Sequence, residues 1–279
     1  MDIKLIEKSF SNVKVLKAYP NSGQKYVFLI EHAQFGEVIL KIIKDMNERI
    51  TREIEIATNY NITNTPQIFA VDTISIEGNT YTYIIEQYIS GNNLSVELKR
   101  TSFSLDRSLC LLESLLKAAV ELEKAGIVHR DIKPDNIICS DDGEFYLIDF
   151  GIARILSLTS LTYTQVAVGP HTPGYGAPEL FQYNKPNISI RADLFSIGIV
   201  VYESIFGQHP FITGNEQDIN EIWYKTATVV PKDFSIPGDN DRQLMSFLQT
   251  LMQKHISRRP PTARKALEWF YIINERIKS

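Results

Sequence analysis

The chain has 279 residues, 44% of them hydrophobic and 22% charged, with a net charge of −4. It is too apolar and too weakly charged for a disordered tail, and long enough for one large domain or two small lobes that each bury a core. No overall basic field points to nucleic acid or an anionic membrane, and the two cysteines, Cys110 and Cys139, form no disulfide framework for a chain of this size and fit a reducing compartment.

The opening MDIKLIEKSF mixes charge into its apolar residues and is no signal peptide. NVKVLKAYP and KYVFLIEH are β-rich runs on either side of a turn at 20–23, and EVILKIIK follows the Gln34-Phe35-Gly36 turn. Ile50, Ile54, Ala57 and Tyr60 recur at helical spacing and predict a helix over 46–60. Two more strands, QIFAVDTISI and TYTYIIEQY, flank the Glu77-Gly78-Asn79 turn. After 90–93 the period changes: Leu109, Leu112, Leu115, Leu116, Ala119 and Leu122 predict a long amphipathic helix over 105–125, with Gly126 as its C′ residue. Short strands carry polar clusters at 128–151, a Thr/Ser-rich loop runs to about 176, and helices fill the remainder. The longest apolar stretch, near 194–206, is broken by Ser, Gly and Glu and is too short to span a bilayer. The fold class expected is α+β, with a small β-rich lobe over 1–89, a larger helical lobe over 90–279 and a cleft between them. A cytoplasmic protein with no membrane segment and no nucleic-acid partner is expected.

Three segments carry the chemistry. His129-Arg130-Asp131-Ile132-Lys133-Pro134-Asp135-Asn136 comes first, Asp149-Phe150-Gly151 follows, and Ala177-Pro178-Glu179 closes the series. In this order they resemble the catalytic loop, metal loop and activation-segment end of eukaryotic-type (Hanks-type) serine/threonine protein kinases. The resemblance covers nearly the whole chain, as one domain over about 10–275, and a soluble bacterial member is expected. A polar surface loop with a chance pair of aspartates is the bland alternative, and three such segments at workable spacing outweigh it.

Phosphoryl transfer demands positioning and charge neutralisation more than covalent help. The resemblance therefore implies ATP and Mg²⁺, with Asp131 accepting the proton of a substrate hydroxyl and Lys133 reaching the transferring phosphoryl group. Asn136 and Asp149 would supply the hard oxygen ligands that Mg²⁺ prefers. His129 is expected to pack beneath Phe150 as a structural residue. Asp193 would be the buried acid that binds the catalytic-loop backbone, with Phe195 where the family often has Trp. Glu179 and Arg259 would be a buried ion pair. Lys41, in its apolar strand, matches the lysine that holds the α- and β-phosphates, although such a lysine alone is more often a snorkelling edge residue. Glu53 resembles its helix partner. Glu55 competes for that role, but the apolar pattern places Glu53 nearer the inward face.

Around the expected nucleotide site the chain departs from the family. The glycine-rich phosphate loop falls on Ala18-Tyr19-Pro20-Asn21-Ser22-Gly23, where only the third glycine, Gly23, stands, and Pro20 offers no N–H to a phosphate. Ile39 replaces the usual small residue over the adenine. The strand 83–91 puts Glu86 at the gatekeeper position, usually apolar or Thr, with the backbone of Gln87 and Ile89 expected to bind the adenine edge.

Thr172-Pro173-Gly174-Tyr175 resembles the substrate-docking segment of Ser/Thr kinases, in which Thr172 would bond the catalytic acid. Pro170-His171 is an insertion before it. Thr162 and Thr164 look like paired autophosphorylation threonines, a step expected to need a transient homodimer, and a phosphate there could order the loop against Arg130. The expected function is ATP-dependent phosphorylation of Ser/Thr hydroxyls in a protein substrate. The alternatives are a nucleotide-binding pseudokinase scaffold and a small-molecule kinase of the aminoglycoside or choline type. Small-molecule kinases generally lack a peptide-docking segment, and pseudokinases usually lose the base, the metal ligands or the strand lysine.

Overall fold

Period-two alternation of apolar residues builds the first part of the chain into a sheet. The computed structural model describes residues 1–20, 25–44, 48–60, 62–101, 103–150, 154–155, 172–181 and 188–278. Asp2 caps a short helix, α1 (Ile3–Ser9), by accepting from the Lys4 N–H at 3.3 Å. Then come β1 (Val13–Ala18), β2 (Lys25–His32), β3 (Gly36–Ile43), α2 (Glu48–Asn59), β4 (Ile68–Ile76) and β5 (Asn79–Gln87). The five strands pair antiparallel in the order β1-β2-β3-β5-β4.

The register sorts side chains onto two faces. Phe28 lies opposite Leu40, Ile30 opposite Val38, and Leu40 opposite Ile85. These residues, with Ile42 and Ile76, form a buried cluster that Ile6 of α1 completes. On the other face Ile43 and Ile84 pack with Ile54 of α2, Ile68 and Val71. Burying each such aliphatic or aromatic side chain is worth roughly 1.5–3 kcal/mol.

The remaining elements are β6 (Gly91–Asn93), α3 (Leu94–Arg100), α4 (Leu105–Lys124), β7 (Ile127–Val128), β8 (Ile137–Ser140), β9 (Phe145–Leu147), β10 (Arg154–Ile155), α5 (Pro178–Phe181), α6 (Ile190–Phe206), α7 (Ile219–Thr228), α8 (Gln243–Leu251) and α9 (Ala263–Lys278). α4 opens on Ser104, whose hydroxyl accepts from the Arg107 N–H at 3.2 Å, and it closes before Gly126 at φ +68°. A left-handed residue there releases the chain into β7 at little steric cost. α6 is apolar on almost every side and correspondingly buried, packed against α4 and α8. No described helix is long and apolar enough to cross a membrane.

The chain divides into two compact units: Met1–Asn61 with Pro66–Ser90, and Ile62–Thr65 with Gly91–Ser279. The short segment Ile62–Thr65 joins the second unit through Asn64. Its side-chain amide donates to Phe145 O at 3.0 Å, and its carbonyl accepts from the Leu147 N–H at 2.8 Å.

Candidate active site

In the second unit the segment after β7 turns back on itself, and a buried acid of α6 fixes the turn. The Asp193 carboxylate, fully buried, accepts the His129 and Arg130 N–H groups at 2.8 Å each. Burial pushes this carboxyl up to about 7, while the two backbone donors favour its ionised form. Arg130 sits at φ +68° and Asp149 at φ +64°, left-handed conformations that are rare for residues with a side chain. Strain of this kind persists only where the surroundings over-determine it, and it gathers at functional sites.

His129 is fully buried, with its ring 4.8 Å from that of Phe150, centroid to centroid. Burial holds its imidazole below the ordinary range, against the pull of the Asp131 and Asp149 carboxylates. A neutral, enclosed imidazole packed on a phenyl ring is a support for the loop.

The next residues converge on the Asp131 carboxylate. Thr172 donates its hydroxyl to Asp131 Oδ1 at 2.6 Å, and Lys133 Nζ stands 3.0 Å from Oδ2 and donates to Thr172 Oγ1 at 2.6 Å. Asn136 donates its side-chain amide to both Oδ2 and the backbone carbonyl of Asp131, at 3.0 and 2.9 Å. A carboxylate that is only 8% exposed is thus oriented from several sides, by a cation, a hydroxyl and an amide. Such a group can accept a proton from an incoming hydroxyl without first rearranging.

The β8–β9 hairpin brings in the second acid. Ile137 lies opposite Leu147, and the ladder continues with the Ile148 N–H donating to Asn136 O at 2.9 Å. Asn136 and Asp149 therefore leave the same end of one hairpin. Among the described residues no group of three or more His, Cys, Asp or Glu side chains could hold a metal by itself. One carboxylate and one amide oxygen suit a hard divalent cation that draws its other ligands from phosphate and water, as Mg²⁺ does. Because the Asn136 amide nitrogen is turned to Asp131, its oxygen end is the one left for such an ion.

In the first unit Lys41 of β3 pairs with Glu86 of β5 at 2.7 Å, with 16% and 14% of their side chains exposed. Sequence reasoning placed Glu86 at the gatekeeper position but did not pair it with Lys41. The strand register makes the pair, since Ile39 lies opposite Glu86 in the β3–β5 ladder and Lys41 is two residues along the same face. Glu53 lies in α2, but its side chain is outside the described residues, as are Gly23, Thr162, Thr164 and the Pro170-His171 insertion. Gln87 was expected to offer its backbone to adenine. Its N–H already donates to Gln67 O at 2.8 Å within the first unit. Ile89 is buried, at 7% exposure.

Downstream of Thr172, the Tyr175 hydroxyl donates to Glu203 of α6 at 2.7 Å, and Ser196 donates to Tyr175 O at 2.8 Å. His209 lies edge-on to Tyr175, 5.1 Å between centroids, and its Nδ1 accepts the Phe211 and Ile212 N–H groups at 3.1 Å each. Glu179 of α5 is bound by Arg259 through two parallel bonds of 2.6 and 2.9 Å. Tyr175, Glu203 and His209 were not singled out from the sequence as a cluster, because they come together only through the packing of the 172–176 turn on α6.

Comparison with known proteins agrees with this geometry. The family model described as the protein kinase domain matches residues 29–272. A "Probable serine/threonine-protein kinase pknA2" of Bifidobacterium longum is 29% identical over 222 residues, covering 79% of this chain and 28% of its own. "Serine/threonine-protein kinase PknL" of Mycobacterium tuberculosis is 35% identical over 130 residues, 46% of this chain and 32% of its own. A "Probable serine/threonine-protein kinase CPE1738" of Clostridium perfringens is 26% identical over 266 residues, 91% of this chain and 37% of its own. The chain thus spans about a third of the length of these relatives.

Proposed function

Since the chain belongs to the protein kinase domain family, we propose that it transfers the γ-phosphate of ATP to serine or threonine hydroxyls of a protein substrate. The observation that carries this reading is the convergence of Lys133, Asn136 and Thr172 on the Asp131 carboxylate. The acceptor hydroxyl comes up to the Asp131 carboxylate beside the Thr172 hydroxyl. Its oxygen attacks the γ-phosphorus, its proton passes to Asp131, the bond to the β–γ bridging oxygen breaks and ADP leaves. Lys133, 3.0 Å from Asp131, balances negative charge as it builds on the transferring group. Asn136 and Asp149 would hold Mg²⁺, which when bound neutralises the phosphate oxygens. Lys41 is read as the ligand of the α- and β-phosphates, and the backbone at Ile89 with the Gln87 carbonyl as the edge that meets adenine.

Thr172 beside the acid supports Ser/Thr over Tyr as acceptor. Autophosphorylation at Thr162 or Thr164, through a transient homodimer, belongs to the same proposal. Phosphate on either threonine would add charge-assisted hydrogen bonds that help order that loop. Cys110 and Cys139 as free thiols support a cytoplasmic setting.

The test is incubation with γ-labelled ATP, Mg²⁺ and an unstructured acceptor protein, followed by phosphosite mapping. Label on Ser or Thr of the acceptor, and on the chain between residues 157 and 172, is the expected result. Bound nucleotide without label on any protein would overturn the reading in favour of a scaffold, and label on a small-molecule alcohol alone would favour the small-molecule kinase.

A further inference from the structure

Lys41 and Glu86 stand on neighbouring strands of one sheet. In the β3–β5 ladder Ile39 faces Glu86 and Lys41 faces Ile84, so the two charged residues are diagonal neighbours on a single face. Diagonal pairs in an antiparallel sheet are within reach of each other when the side chains are long. Nζ and Oε1 close that diagonal at 2.7 Å, with 16% and 14% of the side chains exposed. The surroundings are apolar: Ile84 is 1% exposed, and Ile43 on the same face is also 1% exposed. Losing either charge would therefore leave its partner in a poorly solvated place. The backbone beneath the pair is a continuous hydrogen-bonded ladder running from Val38–Gln87 to Ile43–Thr82, so neither partner depends on a loop for its position.

We propose that Glu86 is a positioning residue: its carboxylate holds the Lys41 ammonium at a fixed place on the sheet, ready for the phosphates of a nucleotide. This rests on the reading of Lys41 as a phosphate ligand given above. A lysine is a point charge on a flexible four-carbon stem, and much of its value to a ligand is lost if the stem must be ordered at each binding event. An ammonium has three donors. A carboxylate that engages one of them on the sheet side restricts the stem and still lets the head turn a donor toward phosphate. A carboxylate at this position would also repel phosphate by itself. Because it is paired to the lysine at contact distance, the preordering outweighs that repulsion, and removing it weakens binding.

The test is a double-mutant cycle read by the Kd of Mg²⁺–ADP and Mg²⁺–ATP, measured by calorimetry on the full chain. Glu86→Gln keeps shape and removes charge. It should weaken nucleotide binding about tenfold when Lys41 is present and by less than about twofold in a Lys41→Met background, since the effect passes through the lysine. Glu86→Asp should recover part of the loss, and Glu86→Met should reproduce it. Thermal midpoints of all variants establish that each is folded, and the proposal requires the Lys41-dependent difference among folded proteins. Unchanged or tighter binding by both Glu86→Gln and Glu86→Met, with Lys41→Met weakened, would overturn the positioning role alone. An equal loss in both backgrounds would also overturn it, because Glu86 would then act without the lysine. Lys41→Met with unchanged nucleotide binding would overturn the phosphate-ligand reading and, with it, this inference.

Discussion

Arg259–Glu179 and Lys41–Glu86 are ion pairs of nearly equal length, 2.6 and 2.7 Å, set in very different surroundings. The Arg259 side chain is fully buried and spends all five of its donors: two on Glu179, and one each on the carbonyls of Gln253, Arg191 and Lys254. Its guanidinium also lies 4.7 Å from the centre of the Phe195 ring. A planar fork saturated in this way has nothing left to offer a ligand and ties α5 to α6 and to the turn before α9. The Lys41 head is a compact cation on a movable stem, at the partly exposed face of a sheet. On the reading of Lys41 proposed above, the same charge pairing serves as a permanent joint in one unit and as a poised group in the other. The difference lies in donor geometry and burial.

If that contrast is right, the two pairs fail differently. Arg259→Met should be the most damaging change, because it strands the Glu179 carboxylate, 9% exposed, without a counter-charge. The expected loss is about 3–5 kcal/mol of folding free energy, read from denaturant titration of wild type and variant. A loss under about 1 kcal/mol would place Arg259–Glu179 among ordinary surface pairs and erase the distinction.

His209 sharpens the comparison from the side of a buried group kept neutral. Burial pushes its imidazole down to about 4, opposed by a backbone acceptor at Gly174 and by Glu216. The folded state therefore resists a proton that the unfolded chain takes up below about 6.5. Stability from this residue is fully present above that pH and is lost as pH falls toward about 4, by roughly 3 kcal/mol over the window. His209→Asn retains an acceptor for the Phe211 and Ile212 N–H groups and removes the titration. The difference in denaturation free energy between wild type and variant should shrink as pH falls from 7 to 4, and a pH-independent difference would contradict the assignment.

The smallest effect belongs to a pair on open surface. Lys265–Glu268 on α9 is 2.7 Å long, with side chains 65% and 50% exposed. Lys265→Ala should change stability by less than about 0.5 kcal/mol, measured in the same titrations. A cost approaching that of Arg259→Met would show that contact distance, not burial, governs these pairs.

Much of the architecture could be read from the sequence because local signals and packing agree. Leu109, Leu112, Leu116 and Ala119 repeat at helical spacing, Gly126 marks the end, and α4 runs over Leu105–Lys124 as that pattern predicts. The inserted helix appears as Glu48–Asn59 within the expected 46–60. α1 escaped notice because a helix of seven residues is weak alone. It exists through Ile6, which has no exposed surface and packs with Phe28, Ile30 and Leu40 of the sheet. β6 and α3 were hidden for a similar reason, as Gly91–Asn93 is a strand only by pairing with β8.

At the site, Asp131, Lys133 and Asn136 are neighbours in the chain, so their grouping was visible in one short motif. Thr172 reaches Asp131 across 41 positions, and only the family resemblance pointed to it. The Lys41–Glu86 pair depends on strand register, which fixes which residues are diagonal and cannot be counted along the chain.

The central claim is that Asp131 takes the proton in phosphoryl transfer, and Asp131→Asn tests it most directly. The amide keeps the volume but cannot accept the proton as a carboxylate does, while nothing in the change removes the groups read as nucleotide ligands in the first unit. With γ-labelled ATP, Mg²⁺ and saturating acceptor protein, kcat should fall by about 10²-fold or more with nucleotide Kd within about threefold of wild type. A variant that retains kcat within threefold of the wild-type value would contradict the account.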